Sequence, residues 1–108
     1  MPIYNKLVRD GIPAIIEAGN KKYIMNVLES DQHEVEIKRK LDEELKEYQE
    51  ASSDEEAVEE LADLLELIYA VLPLHNSNME DLEKVRLAKR EKRGGFDKGY
   101  YLIEVEDN

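Results

Sequence analysis

Two pairs of carboxylates in this sequence are spaced for joint chemistry: Glu44 with Glu47, and Glu60 with Asp63, each pair three residues apart. On a helix with about 100° per residue, positions three apart lie on one face. With Leu41 as reference, Leu45 lies about 40° to one side, Tyr48 about 20° to the other, and Glu44 about 60° away. That places Glu44 inside the apolar arc, between Ile37 and Ala51, with Glu47 at the arc's edge. In the next segment Glu60 falls between Leu67 and Val71, and Asp63 is the next position outward. Four carboxylates facing one another cannot all stay ionised without a cation. A hard divalent ion removes the conflict. Mg²⁺, with Mn²⁺ as the alternative, takes oxygen ligands and retains waters that substrate phosphates can replace. Glu44, Glu47, Glu60 and Asp63 are therefore the expected metal ligands, Glu44 and Glu60 as an inner pair and Glu47 and Asp63 as an outer one. A lone E-x-x-E on an acidic helix is ordinarily a solvated face. Glu34, Glu36, Glu50, Glu55, Glu56 and Glu59 are read that way; Glu43 points away from the face of Leu41 and is ambiguous, either solvated or helping the metal indirectly through a neighbour or a water.

A phosphate substrate also needs cations. Lys6 and Arg9 supply them near the N-terminus, and Lys89, Arg90, Lys92 and Arg93 near the C-terminal end. Leu82, Arg86, Lys89 and Arg93 are spaced four, three and four, so basic residues continue an apolar line. The competing explanation is a cationic helix C-terminus set against the macrodipole. Lys40 is within reach of Glu44 one turn on. His33 and His75 have no Ser, Cys or Asp placed for a triad and are read as surface or capping residues. Phe96, Tyr100 and Tyr101 are read as core aromatics rather than base-stacking groups.

These residues need helices to position them. A short first helix begins at Pro13 and stops at Gly19-Asn20. The second is expected from about residue 31 to about residue 51, with Ile37, Leu41, Leu45 and Tyr48 on its apolar side. Ser52-Ser53-Asp54 is a turn whose Ser53 or Asp54 caps a third helix, which Pro73 ends near Leu72. The third helix carries a broad apolar stripe, wide enough to touch several neighbours, another subunit among them. A fourth runs from about Met79 to Arg93 and ends at Gly94-Gly95. Short connections make neighbours antiparallel. The expected fold is all-α: one domain over residues 1–108, an antiparallel bundle of about four helices. A small two-stranded element is expected from 21–28 and 100–105.

The 108 residues suit a single domain, 42% of them hydrophobic and 38% charged. The net charge of −11 makes nucleic acid and anionic membranes poor partners. Without cysteine there is no disulfide framework and no thiolate zinc site, in keeping with a reducing cytoplasm. The opening residues lack the apolar region of a secretory signal. The most apolar stretch, Leu61 to Leu74, is too short and too charged to span a bilayer.

The E-x-x-E…E-x-x-D pairs at 44/47 and 60/63 resemble the MazG-like all-α nucleoside-triphosphate pyrophosphohydrolases. The opening YNKLVRDGIPAII resembles the N-terminal signature of the phosphoribosyl-ATP-pyrophosphohydrolase-like branch, although Gly11 stands where Lys is common. KLDEELKEY and KREKRGGFDKGYYL resemble that branch's metal-helix and C-terminal motifs. The resemblance implies Mg²⁺-dependent cleavage between the α- and β-phosphates, giving a nucleoside monophosphate and pyrophosphate. It assigns Glu44, Glu47, Glu60 and Asp63 to the metal, and Lys6, Arg9, Lys89, Lys92 and Arg93 to substrate contact. It also implies a homodimer or homotetramer. Glu44 and Glu47 are the candidates for the base that accepts the proton of an attacking water. A house-cleaning nucleoside-triphosphate pyrophosphohydrolase is the leading expectation. Phosphoribosyl-ATP hydrolysis in histidine biosynthesis and a non-catalytic metal- or partner-binding module are the alternatives.

Overall fold

The computed structural model of the chain describes residues 2–107 and contains four α-helices: α1 (Ile12–Ala18), α2 (Ser30–Gln49), α3 (Asp54–Val71) and α4 (Met79–Arg93). A 3₁₀ turn, Leu72–His75, follows α3 directly. The chain forms two compact units, residues 1–76 and 77–108.

In the first unit α1 starts with Pro13 in its first turn, where a missing N–H costs nothing. It ends at Gly19 and Asn20, the latter in the left-handed conformation. The four residues between α2 and α3 close a helical hairpin, and the two helices pack on each other. Ser53 caps α3: its Oγ accepts the backbone N–H of Glu56 at 3.1 Å, and the Glu56 carboxylate reaches back to the N–H of Ser52 at 3.0 Å. This is a capping box displaced by one residue. Three acids in the first turn of α3 also suit the positive end of its dipole. Pro73 cannot donate a helical hydrogen bond, so the chain tightens into the 3₁₀ turn, and Asn76 ends it in the left-handed region.

The packed faces follow three-four spacing. On α3 the half-buried line is Ala57, Glu60, Leu64, Leu67 and Val71. On α2 Ile37 is fully buried and Leu41 half-buried, and Glu44, two turns beyond Ile37, is buried too. Leu45 and Tyr48, expected on the apolar side of α2, remain partly exposed. So does a second line on α3: Val58, Leu61, Leu65 and Ile68. One partner helix covers only one side of each.

In the second unit Asn78 caps α4 by accepting the N–H of Asp81 at 2.9 Å. Gly94, at φ +84°, ends the helix in a conformation that other residues rarely adopt.

The two-stranded element is a correction. No strand occurs among the described residues, and 21–28 and 100–105 carry no regular secondary structure. Ile24, Val27, Leu102 and Ile103 are exposed. A two-stranded ribbon with neither face covered is marginal in water, whatever its β-branched content. Phe96, Tyr100 and Tyr101 are likewise exposed rather than core, and the Lys98 ammonium lies 5.9 Å from the centre of the Tyr100 ring.

Candidate metal centre

The site forms where the packed faces of α2 and α3 carry acids in place of hydrophobes. Glu44 and Glu60 each occupy a position in the packed line of its helix, and Glu47 follows Glu44 by one turn at the edge. Carboxylate oxygens of Glu44, Glu47 and Glu60 all lie within 4.8 Å of one another. Glu44 is only 6% exposed, Glu60 is half-buried and Glu47 exposed.

Two oxygens here, Oε2 of Glu44 and Oε2 of Glu60, are buried and, with the carboxylates ionised, have no hydrogen-bond donor. An orphaned buried acceptor is costly and uncommon in folded proteins. Burial, followed by hydrogen bonding to Glu60 and Glu47 and repulsion from Glu47 and Asp63, pushes the Glu44 carboxyl up to about 8. The hydrogen bond from Glu44 lowers the Glu60 carboxyl, but burial together with Glu47 and Asp63 outweighs it, so Glu60 is also raised. At neutral pH the cluster therefore holds a proton shared between carboxyls. A hard divalent cation could replace that proton and satisfy the orphaned oxygens together. The donor set is all oxygen, without nitrogen or sulfur, which suits Mg²⁺ or Mn²⁺.

The remaining candidates fall into three groups. Asp63 is half-buried and is not one of the mutually close set; its Oδ1 accepts a hydrogen bond from Arg9 Nη2 at 2.5 Å. Lys6 Nζ donates to Glu43 Oε1 at 3.1 Å, so the N-terminal segment contributes two cations to the carboxylate edge. Lys89, Lys92 and Arg93 lie in the last turns of α4, exposed, in the second unit.

Two further side chains join the edge of the cluster, Glu43 and Lys40. Glu43 is engaged rather than idle: Lys6 and then Lys40, at 3.6 Å, hold its carboxyl below the usual range. Lys40 also stands 3.9 Å from Glu44 Oε1, the nearest cation to the buried acid on its own helix. The Lys40 contact was readable as a one-turn spacing. The Lys6–Glu43 pair spans 37 residues and leaves no local signal. Of the histidines, His75 lies 3.5 Å from Glu34 and ties the 3₁₀ turn to α2.

A family model, phosphoribosyl-ATP pyrophosphohydrolase, matches residues 18–89. Searches of curated proteins and of solved structures each gave no match. The matched span contains Glu44, Glu47, Glu60, Asp63 and Lys89, and excludes Lys6, Arg9, Lys92 and Arg93. It covers well over half of the chain and agrees with the all-α architecture. The chain belongs to the phosphoribosyl-ATP pyrophosphohydrolase family, within the MazG-like all-α superfamily.

Proposed function

We propose that this pyrophosphohydrolase is a Mg²⁺-dependent nucleoside-triphosphatase of the house-cleaning type, cleaving the α–β phosphoanhydride with water to give a nucleoside monophosphate and pyrophosphate. The observation that carries the reading is the cluster of Glu44, Glu47 and Glu60, two of whose oxygens are buried and orphaned. In this reading those three residues and Asp63 hold the metal; Mn²⁺ would serve in place of Mg²⁺. The bound ion would supply charge neutralisation at the phosphate oxygens and a more acidic water. Glu47, exposed at the edge of the cluster, is the better placed of the two candidate bases, because Glu44 is buried in the packed line and Glu47 is open to an attacking water. Lys6 and Arg9, in the same unit as the acids, supply positive charge for the substrate phosphates and the leaving pyrophosphate; substrate contact by Lys89, Lys92 and Arg93 is the further expectation of the family resemblance.

The name of the matching family favours a second substrate, phosphoribosyl-ATP. A panel of nucleoside triphosphates, altered-base nucleotides and phosphoribosyl-ATP, assayed for pyrophosphate with and without Mg²⁺, separates the two. Turnover of several triphosphates supports the first reading. Turnover of phosphoribosyl-ATP alone selects the second. Release from none of them leaves a non-catalytic module.

The reading includes self-association as a dimer or tetramer and a cytoplasmic location. Val58, Leu61, Leu65 and Ile68 form an exposed line at three-four-three spacing, the pattern of a helix–helix seam. A second copy of the chain is the occupant that line fits. Light scattering should give twice or four times the 12.6 kDa of one chain, and Leu61→Lys with Leu65→Lys should return it to one. A wild-type mass of a single chain would remove this element.

A further inference from the structure

The pairing of Arg9 with Asp63 sets one member of the carboxylate quartet apart. Asp63 is the outer acid of α3, one turn beyond Glu60, yet it lies outside the mutually close set and binds a guanidinium 54 residues away in sequence. Arg9 sits in the turn just before α1, where its carbonyl accepts the N–H of Ile12 at 3.1 Å. Its position is thus tied to a helix start. The pair is open to water, with the Arg9 side chain 60% and that of Asp63 38% exposed. Exposed ion pairs are weak and exchange readily. Glu44 and Glu60, by contrast, have no cation that close; Lys40 is the nearest to Glu44, at 3.9 Å.

We propose that Arg9 is a positioning residue that competes with the divalent cation for Asp63: its guanidinium holds Asp63 until metal takes that carboxylate, so Arg9 sets the metal affinity of the site. This rests on the proposed metal-dependent reading of the carboxylates and goes beyond it, since Arg9 lies outside the span matched by the family. Arg9 contributes to metal binding with the opposite sign from the acids. Losing it removes a competitor.

The test is calorimetric titration of Mn²⁺ into the full-length protein without nucleotide, with electron paramagnetic resonance of free Mn²⁺ as a second readout. Arg9→Gln should bind Mn²⁺ about three- to fivefold more tightly than wild type, the scale of one exposed ion pair. Lys6→Gln removes an equal charge paired to Glu43 instead, and should change the affinity by less than about twofold, as a screened, longer-range effect. In an Asp63→Asn background, adding Arg9→Gln should leave affinity unchanged, because the pair is already broken. Unchanged or weaker binding by Arg9→Gln overturns the proposal. So does an equal gain in the Asp63→Asn background, which would mean general charge repulsion only. If wild type binds no Mn²⁺ by either readout, the metal reading itself fails and the competition falls with it. Circular dichroism of each variant checks that the helices persist; should Arg9→Gln not fold, Arg9→Lys against wild type and Asp63→Asn completes the comparison, with near-wild-type binding expected and a gain above threefold overturning the idea.

Discussion

The acids between α2 and α3 and the bases at the end of α4 are both dense clusters of like charge, and they are built in opposite ways. Lys89, Lys92 and Arg93 are exposed, occupy a helix C-terminus where positive charge is favoured, and need no ligand to account for them. Glu44 and Glu60 occupy packing positions and carry buried oxygens with no partner. A protein built only for stability would place an apolar side chain such as leucine there. The difference teaches that burial without a partner, rather than charge density, separates a candidate site from a solvated face.

The largest effect should come from removing the buried acids. Glu60→Gln or Glu44→Gln should reduce Mg²⁺-dependent pyrophosphate release by about 10²-fold or more, the scale of losing a preorganised electrostatic group at the reacting centre. The helical circular dichroism should be retained. Activity within twofold of wild type would erase the contrast between the two clusters.

The same substitutions should make the metal-free protein less sensitive to pH. The Glu44 carboxyl is raised to about 8 in the fold, from an ordinary value of 4.5. Between those values the folded state keeps a proton that the unfolded chain has released. Stability therefore falls as pH rises through this window and levels off above about pH 8. In EDTA the Tm should drop by about 5 °C or more between pH 5.5 and 8.5. Glu44→Gln should flatten the slope. Mg²⁺, by binding the folded state alone, should restore much of the loss at pH 8.5. A flat profile for wild type would show that these acids are better solvated than their burial implies.

How much of this was legible in the sequence differs by element. Helix α4 was expected over about Met79 to Arg93 and is found there, because Gly94-Gly95 is a strong stop signal; the Asn78 cap that starts it emerges only from the structure. The inner position of Glu44 and Glu60 followed from helical periodicity, since packing preserves the wheel. The strands failed because β-branched composition at 21–28 and 100–105 reports propensity, while a strand needs a covered partner. The pairs Lys6–Glu43 and Arg9–Asp63 had no local signature, being brought together by the return of the chain over 37 and 54 residues.

A smaller effect is expected at the basic cluster. Lys89→Gln or Arg93→Gln should raise KM for a triphosphate about three- to tenfold and make it less sensitive to salt, as loss of a solvated phosphate contact does. Neither should move the Tm by more than about 2 °C, because exposed charges contribute little to stability. A Tm loss like that of a core variant would mean these side chains have a packing role hidden by their exposure.

The smallest effect on catalysis should come from Ser53, which is polar and satisfied but touches none of the carboxylates. Its hydroxyl accepts one of the free N–H groups at the start of α3, while Glu56 secures the N–H of Ser52. Ser53→Ala should cost about 1 kcal/mol, the usual loss of an N-cap, and lower Tm by about 4–8 °C. Glu60 lies nearly two turns further along, in the packed line, so its position is held by Ala57, Leu64 and Leu67 rather than by the cap. Mg²⁺ affinity should then stay within about twofold of wild type, since a cap acts within the first turn of its helix. A larger fall in metal affinity than in stability would show that the register of α3 against α2 is set at the turn, and that the acids depend on the cap for their approach.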